Sequence, residues 1–232
     1  MTLKTDLKRD VKKIFASKWE EREGRVVPEP EDLSLGNDAV ELDAAVLYAD
    51  MADSTDLVDH YEASFAAEVY KAYLLCASRI IKDQKGVITA YDGDRVMAVF
   101  LGDQKETSAV RTAMKISYAV QEIINPLLKE HYPQKNYLLK HVIGIDTSKL
   151  FVARTGIRND NDLVWVGRAA NYAAKLCNRN GSYSIYITRK VFESIDEEVK
   201  YGEENHSFMW SKEAWTERNN MKIYGSNWRW SV

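Results

Sequence analysis

Two aspartates, each at the end of an apolar segment, constrain the fold of this chain most. Asp50 follows the apolar run 44–49 and precedes small polar residues, and Asp94 lies in an Asp-Gly-Asp turn between two further apolar runs. A helix cap would explain Asp50 alone, and turn chemistry would explain Asp94 alone. Considered together, the two residues indicate more. One carboxylate follows a strand and precedes a helix, the other lies at the tip of a hairpin, and both can lie beside the free amides at the start of the helix. Those groups suit a Mg²⁺-bound nucleoside triphosphate.

The predicted elements follow the order strand, helix, strand, strand, helix, strand. They are a strand at 44–50, a helix from Ser54, Thr55 or Asp56 to about Gln84, strands at 87–91 and 95–101, a helix at about 105–130 and a strand at 137–146. Further predicted elements are strands at 149–154, 163–166 and 184–188, a helix at 168–178 and a strand-forming tail from Lys200. This order is typical of an α+β sandwich, the ferredoxin-like or palm βαββαβ antiparallel sheet. The architecture hosts many activities, so it names none by itself.

The N-terminal region differs from the rest of the chain. Apolar residues at helical spacing predict a helix at 4–23, and the prolines Pro28 and Pro30 indicate an extended strap after it. We therefore expect a helix and strap over 1–43, followed by one larger domain over 44–232.

Composition excludes several classes of function. The net charge is −3, so no basic excess points to a nucleic-acid partner. The longest apolar stretches have the length of strands, so we expect no membrane span. With only Cys76 and Cys177, a disulfide framework is not expected, and the sequence favours a reduced cytoplasmic protein.

Four segments carry a more specific signal. They are Tyr48-Ala49-Asp50-Met51-Ala52-Asp53-Ser54-Thr55, Gly93-Asp94-Arg95-Val96-Met97-Ala98-Val99-Phe100, and Gly144-Ile145-Asp146-Thr147 with Gly167-Arg168-Ala169-Ala170-Asn171-Tyr172-Ala173-Ala174-Lys175. As a set they resemble the motifs of the class III nucleotidyl cyclase catalytic domain, the adenylate and guanylate cyclase family. The resemblance covers about 44–190, so 44–232 would be the catalytic domain.

The resemblance implies a metal site and a phosphate site. Asp50 and Asp94 would bind two Mg²⁺ or Mn²⁺ ions, and the backbone carbonyl of Met51 would be a further ligand. The β- and γ-phosphates of a nucleoside triphosphate would lie on the backbone amides that follow, those of Ala52, Asp53, Ser54 and Thr55.

A second half of the site is implied on the helix at 168–178. Asn171 and Lys175 are four residues apart and therefore share a helix face. By resemblance, Asn171 would orient the ribose, and Lys175 stands where the family has an arginine that stabilises charge on the transferring phosphoryl group. Arg168 is an alternative source of that guanidinium. In the family these groups come from the partner subunit, which implies a homodimer with two shared sites.

The positions that select the base depart from the purine cyclases. The family's purine-reading side chains correspond to Ala90 and Val164 here, which form no side-chain hydrogen bonds. The bulky groups Tyr48, Tyr91 and Trp165 would narrow the pocket toward a pyrimidine. The chain is also similar to the short bacterial cyclases of Pycsar anti-phage systems, which make cyclic CMP or cyclic UMP for a companion effector. UTP is favoured over CTP.

The sequence is also compatible with other functions. One is a purine cyclase that makes cyclic AMP or cyclic GMP. Another is a binding module that senses nucleotides without turnover, which Lys175 favours and the retained aspartates disfavour. A diguanylate-cyclase-like palm is disfavoured because the chain has no Gly-Gly-Asp/Glu-Glu-Phe hairpin.

Overall fold

A twisted sheet forms the centre of the computed structural model, which describes residues 2–202 and 206–232. Within those residues the main strand order is β3-β4-β2-β5-β7-β9-β8, with β1 added to β2 and β6 added to β5. The strands are β1 (Glu20–Glu23), β2 (Asp38–Ala52), β3 (Val87–Asp92), β4 (Arg95–Phe100), β5 (Lys140–Ile157), β6 (Asp160–Val166), β7 (Ile185–Thr188), β8 (Ser211–Trp215) and β9 (Met221–Ser226). The predicted α+β sandwich is confirmed.

Helices cover both faces of this sheet. They are α1 (Leu3–Ala16), α2 (Ser54–His60), α3 (Ala63–Asp83), α4 (Lys105–Tyr118), α5 (Asn125–His131), α6 (Arg168–Cys177) and α7 (Arg189–Ser194). Alternate residues of β2 pack into two cores: Leu47 on the face of α3 and α4, and Val46 on the face of α6. Because β2 is covered on both faces, it is apolar at consecutive positions.

Two predicted helices on the α3 and α4 side are wrong in detail. The helix predicted at 54–84 is two helices, because Tyr61 is extended and its ring packs against Phe65 and Tyr137. The helix predicted at 105–130 contains a π-helical turn at Ala119–Ile124, just before Pro126. Proline lacks an N–H donor and disturbs the preceding helical turn, which accounts for the irregularity.

The two strands predicted at 137–146 and 149–154 form one strand, β5. Thr147 and Ser148 look like a turn in the sequence, but they pair with Ala45 and Ala44 in an unbroken ladder. The Thr147 hydroxyl donates to buried Glu106 at 2.6 Å, which compensates for its burial in the sheet. The long β5 therefore extends past the sheet and carries β6 as a projecting arm.

The N-terminal segment also differs from its prediction. α1 ends at Ala16 and the chain turns so that Trp19 packs edge-on against Phe151. The strap contributes β1 to the sheet and buries Leu33 in the α6-side core. β2 begins at Asp38, so the expected boundary after residue 43 falls within a strand.

The tail forms strands as predicted, in β8 and β9; residues 203–205 lie outside the described part of the chain. No helix in the ranges 2–202 and 206–232 has the combined length and apolarity needed to cross a membrane.

Candidate active site

Asp50 lies near the end of β2, on the face that α6 covers. It pairs with Val142 of β5, while its neighbour Ala49 pairs with Val96 of β4. Side chains alternate along a strand, so Asp50 points to the same face as Tyr48. The sheet thus places this carboxylate at the edge of the α6-side core, where it is half-buried.

Asp94 lies in the β3–β4 turn beside it. Gly93 adopts a left-handed φ of 61°, which glycine allows at no steric cost and which closes the turn. One carboxylate oxygen of Asp94, Oδ2, is buried, and no described group bonds to it. Burial and, after it, the nearby charge of Asp94 raise the pKa of Asp50 to about 6, against the lowering effect of Arg95. The site thus disfavours the charged form of Asp50 while it holds a second carboxylate nearby.

These residues fit a divalent cation. A cation would neutralise the repulsion between Asp50 and Asp94 and would supply the partner that buried Asp94 Oδ2 needs. Within the described residues no group of three or more His, Cys, Asp or Glu side chains could ligate a metal. Mg²⁺ is commonly held by one or two carboxylates and completed by substrate phosphates and water, so two carboxylates suit a metal that arrives with a nucleotide.

The predicted phosphate segment follows directly. The side chain of Met51 is buried in the α3-side core, so it can reach the site only through its backbone. Asp53, with a left-handed φ of 59°, precedes α2, and its side chain makes no capping bond. Ala52 and Asp53 line a cavity of about 650 Å³. Ser54 and Thr55 form the first turn of α2, so the start of that helix lies at one edge of the cavity.

Lys140 is a cavity residue that the sequence analysis missed. It pairs with Ala52 across the sheet, and its ammonium lies 3.5 Å from the Asp53 carboxylate, with both side chains more than half exposed. The polar segment 178–184, which includes Arg179, also lines this cavity. No local signal in the sequence indicates Lys140, because its place at the cavity depends on the pairing of β5 with β2.

Helix α6 carries the other predicted pair. Asn171 and Lys175 are both exposed and lie on the same face, while Ala173 and Leu176 pack against the sheet. A Cβ placed on Gly144 would come within 2.1 Å of the Ala173 carbonyl oxygen, so only glycine permits this close approach of α6. Within one protomer, α6 holds Asn171 and Lys175 on its outer face, away from the sheet that carries Asp50.

Arg168 has a structural partner. Its guanidinium bonds to both oxygens of Asp146, at 3.0 and 3.3 Å, and to the carbonyl of Thr147 at 2.8 Å. Asp146 is fully buried and also accepts from Thr188 at 2.5 Å. The Arg168 guanidinium is therefore engaged by Asp146 and Thr147, whereas Lys175 is exposed on the outer face of α6. The alternative role for Arg168, as the source of the transition-state guanidinium, stays a prediction.

The predicted base-selecting residues do not share one pocket in a protomer. Ala90 pairs with Met97 and Tyr48 also pairs with Met97, so Ala90 and Tyr48 share a face. Tyr91 points to the other face, where its hydroxyl lies 2.8 Å from that of Ser78 on α3. The expectation that Tyr91 narrows the pocket is therefore not met within a protomer.

The remaining two predicted base-selecting residues lie on the arm. Val164 and Trp165 are adjacent in β6 and so face opposite sides. Trp165 packs against the α6-side core, while Val164 is 39% exposed on the outside. They cannot both line one pocket of the same protomer.

Comparison with known proteins gives two kinds of similarity. The chain is 51% identical over 233 residues to a uridylate cyclase of Xanthomonas perforans and 51% identical over 234 residues to one of Burkholderia cepacia, and each alignment covers 100% of both chains. No protein-family model matches the chain.

Solved structures share the fold at low identity. The guanylyl cyclase Cya2 superposes with a TM-score of 0.68 at 16% identity, covering 80% of this chain and 92% of its own. A class III adenylyl cyclase-like ATP-binding protein from Pseudomonas aeruginosa superposes with a TM-score of 0.66 at 20% identity, covering 84% of this chain and 43% of its own. At these identities the superpositions define the fold.

Proposed function

Because the chain belongs to the uridylate cyclase family and has the class III cyclase fold, we propose that it is a pyrimidine nucleotide cyclase. It converts UTP, or CTP, to the 3′,5′-cyclic nucleotide and pyrophosphate. The full-length identity of 51% supports the substrate class. The observation that carries the chemistry is the pair of Asp50 and Asp94, where a buried oxygen has no described partner and the pKa of Asp50 is raised to about 6.

In the proposed reaction the 3′-hydroxyl oxygen attacks the α-phosphorus of its own nucleotide, and the bond to the β-phosphate oxygen breaks. Asp50, Asp94 and the Met51 carbonyl would hold two Mg²⁺ or Mn²⁺ ions, which neutralise the charge of the triphosphate and lower the pKa of the attacking hydroxyl when bound. Backbone amides at 52–55 orient the β- and γ-phosphates. Lys140 is placed at the same cavity to offset their charge.

A homodimer with two shared sites completes this proposal. Asn171 would orient the ribose and Lys175 would stabilise charge on the transferring phosphoryl group. Both lie on the outer face of α6 and are exposed in the protomer. Residues that act in the site of a second subunit must be accessible on the surface of their own protomer, and this pair is.

Three side chains, those of Tyr48, Ala90 and Val164, support a preference for a pyrimidine base. Neither Ala90 nor Val164 has a hydrogen-bonding side chain to read a purine edge. Tyr48 is half-buried on the face of Asp50, where its ring occupies space beside the metal carboxylates. A smaller base fits the space that remains.

The proposed biological role is second-messenger synthesis in the cytoplasm for anti-phage defence. The cyclic nucleotide would act on a separate effector, so no nucleic acid or membrane partner is needed. Residues 1–43 would serve as a strap on the catalytic domain, since β1 and Leu33 pack against it.

Product analysis tests this proposal. Purified protein is incubated separately with UTP, CTP, GTP and ATP, with Mn²⁺ or Mg²⁺, and products are identified by mass. We expect a cyclic pyrimidine nucleotide that is lost in Asp50→Ala and retained in Asp10→Asn, a matched change at an exposed aspartate of α1. A linear or absent product from all four nucleotides would contradict the cyclase proposal.

Two other functions have specific support. The fold similarity to the guanylyl cyclase Cya2 favours a purine cyclase, which would give cyclic AMP or cyclic GMP in the same assay. The fold similarity to an ATP-binding protein favours a binding module, which would bind a nucleotide without turnover. Calorimetry with each nucleotide, beside the product assay, distinguishes these cases.

A further inference from the structure

Arg95 lies on the face of the sheet that carries Asp50 and Tyr48. Tyr48 pairs with Met97 across β2 and β4, and Arg95 is two residues before Met97 on the same strand. It therefore points to the same side as Tyr48. Its guanidinium carbon lies 5.5 Å from the centre of the Tyr48 ring, which places the cation against the aromatic face beside the metal carboxylates.

The guanidinium is held by Asp92 through one nitrogen, while another nitrogen, Nε, has no described partner. Nη2 donates to Asp92 at 2.7 Å, and Asp92 is 77% exposed on the hairpin. Nε is buried, and among the residues the structure describes it has no partner. The Arg95 side chain is only 24% exposed, so a donor without a partner here is costly in the free protein. A ligand with an acceptor atom would remove that cost.

We propose that Arg95 distinguishes uracil from cytosine by donating to the 4-carbonyl oxygen of the base. This inference rests on the proposed function and adds the residue that selects UTP over CTP. Arginine has five N–H donors and no acceptor. Uracil presents an acceptor at position 4, whereas cytosine presents an amino group there, so a guanidinium directed at position 4 can donate to uracil and not to cytosine.

The surroundings of Arg95 fit this role. The ion pair with Asp92 and the contact with the Tyr48 ring fix the guanidinium before any ligand binds, which lowers the entropy lost on binding. The Tyr48 ring lies against the guanidinium, and Cys177 at the end of α6 interacts with it as well. Burial raises the pKa of the Cys177 thiol to about 12, against a lowering effect of Arg95. Both bases share the 2-carbonyl, so contact there would not separate them.

The test is the ratio of kcat/KM for UTP to that for CTP. In Arg95→Gln an amide replaces the guanidinium and can accept from the amino group of cytosine, so we expect the ratio to fall by about tenfold or more. Arg95→Met keeps the length of the side chain without any donor, and we expect the same fall through loss of UTP turnover. Asp92→Asn breaks the ion pair and keeps the guanidinium, so its ratio should stay within about twofold.

A second measurement needs no substitution. The protein is given 4-thio-UTP and 2-thio-UTP, in which a weakly accepting sulfur replaces one carbonyl oxygen. We expect 4-thio-UTP to be the poorer substrate by about tenfold and 2-thio-UTP to behave like UTP. This result carries the inference even where both Arg95 variants fail to fold.

The outcomes separate the two proposals. If the wild-type protein makes cyclic UMP but Arg95→Gln loses UTP and CTP turnover equally, the proposed function stands and Arg95 does not read the base. Equal turnover of the two thio-nucleotides overturns the inference in the same way. A cyclic purine from the wild-type protein overturns the proposed function, and the role of Arg95 with it.

Discussion

The two halves of the candidate site are built in opposite ways. Asp50 and Asp94 lie at the edge of a packed core, where burial and like charge raise the pKa of Asp50 to about 6. Asn171 and Lys175 lie on the solvent face of α6, where both side chains are exposed. The first half needs a cation to relieve its repulsion, and the second needs an anion to use its charge. A nucleoside triphosphate with its metals, bound between two protomers, meets both needs.

The largest effect comes from separating the halves into different chains. We expect Asp50→Ala and Lys175→Ala each to be nearly inactive alone. In Asp50→Ala, kcat should fall by about a thousandfold. Mixed in equal amounts and allowed to exchange subunits, half of the dimers carry both variants, and each has one intact site. Activity should return to about a quarter of the wild-type value.

The control for this mixture is a chain that carries both substitutions. When this double variant is mixed in equal amounts with the wild-type protein, the mixed dimers have no intact site. The activity of the mixture should therefore fall below half of that of the wild-type protein at the same total concentration. Absence of any rescue in the first mixture would mean that both halves act within one protomer, and the comparison between them would lose its meaning.

The next effect tests which cation on α6 acts. Lys175→Ala should lower kcat about a hundredfold with little change in stability, since Lys175 is exposed. Arg168→Gln should instead lower the free energy of unfolding by about 3 kcal/mol, because it leaves the fully buried Asp146 without its cation. Denaturant unfolding and kcat at a temperature where both proteins are folded separate the two roles. An Arg168→Gln protein that is stable but inactive would reverse the assignment.

The first half of the site is more fully predictable from the sequence than the second. Asp50 and Asp94 are fixed by local signals, an apolar run and a glycine turn, and the structure keeps both beside each other. The face of Tyr91 was not predictable, because β3 has an irregularity between Ile88 and Ala90. One extra residue in a strand exchanges the two faces, so Ala90 takes the side that Tyr91 would otherwise occupy.

Other features of the site depend on contacts between segments that are distant in the sequence, so local patterns do not predict them. The polar pair Thr147-Ser148 resembles a turn, and only its partners in β2 and on α4 show that β5 continues. Arg168 could be assigned to catalysis from its place beside the Asn171 motif, since nothing local reveals that Asp146 binds it. Lys140 lies near Asp53 only because β5 pairs with β2 at that point.

A smaller effect is the pH dependence of metal binding in the carboxylate half. The raised pKa means that Asp50 is protonated in the metal-free protein below about pH 6. Metal binding needs the ionised carboxylate, so Mn²⁺ affinity should be constant above that pH and fall by up to about tenfold per unit below it. Titration calorimetry at several pH values measures this. Asp92→Asn should move the midpoint slightly lower, because Asp92 also raises the pKa of Asp50; a midpoint near 4 would contradict the burial argument.

The smallest effect concerns stability, and it distinguishes a site built for a cation from a carboxylate built for packing. The pKa of Asp50 is higher in the folded protein than its usual value of 3.8, so its charge costs stability above about pH 6, and the cost disappears as the pH falls toward 4. Asp50→Asn should therefore stabilise the metal-free protein by about 1–2 kcal/mol at pH 8, after allowance for screening by solvent, and by almost nothing near pH 4. Saturating Mn²⁺ should reverse the order at pH 8, because only the wild-type protein gains stability from binding the metal there. Thermal unfolding with and without the metal, beside Lys175→Gln as the matched change on the exposed half, measures each of these differences. A loss of stability in metal-free Asp50→Asn would mean that the carboxylate is satisfied within the protomer, and the contrast between a strained half and a solvated half would not hold.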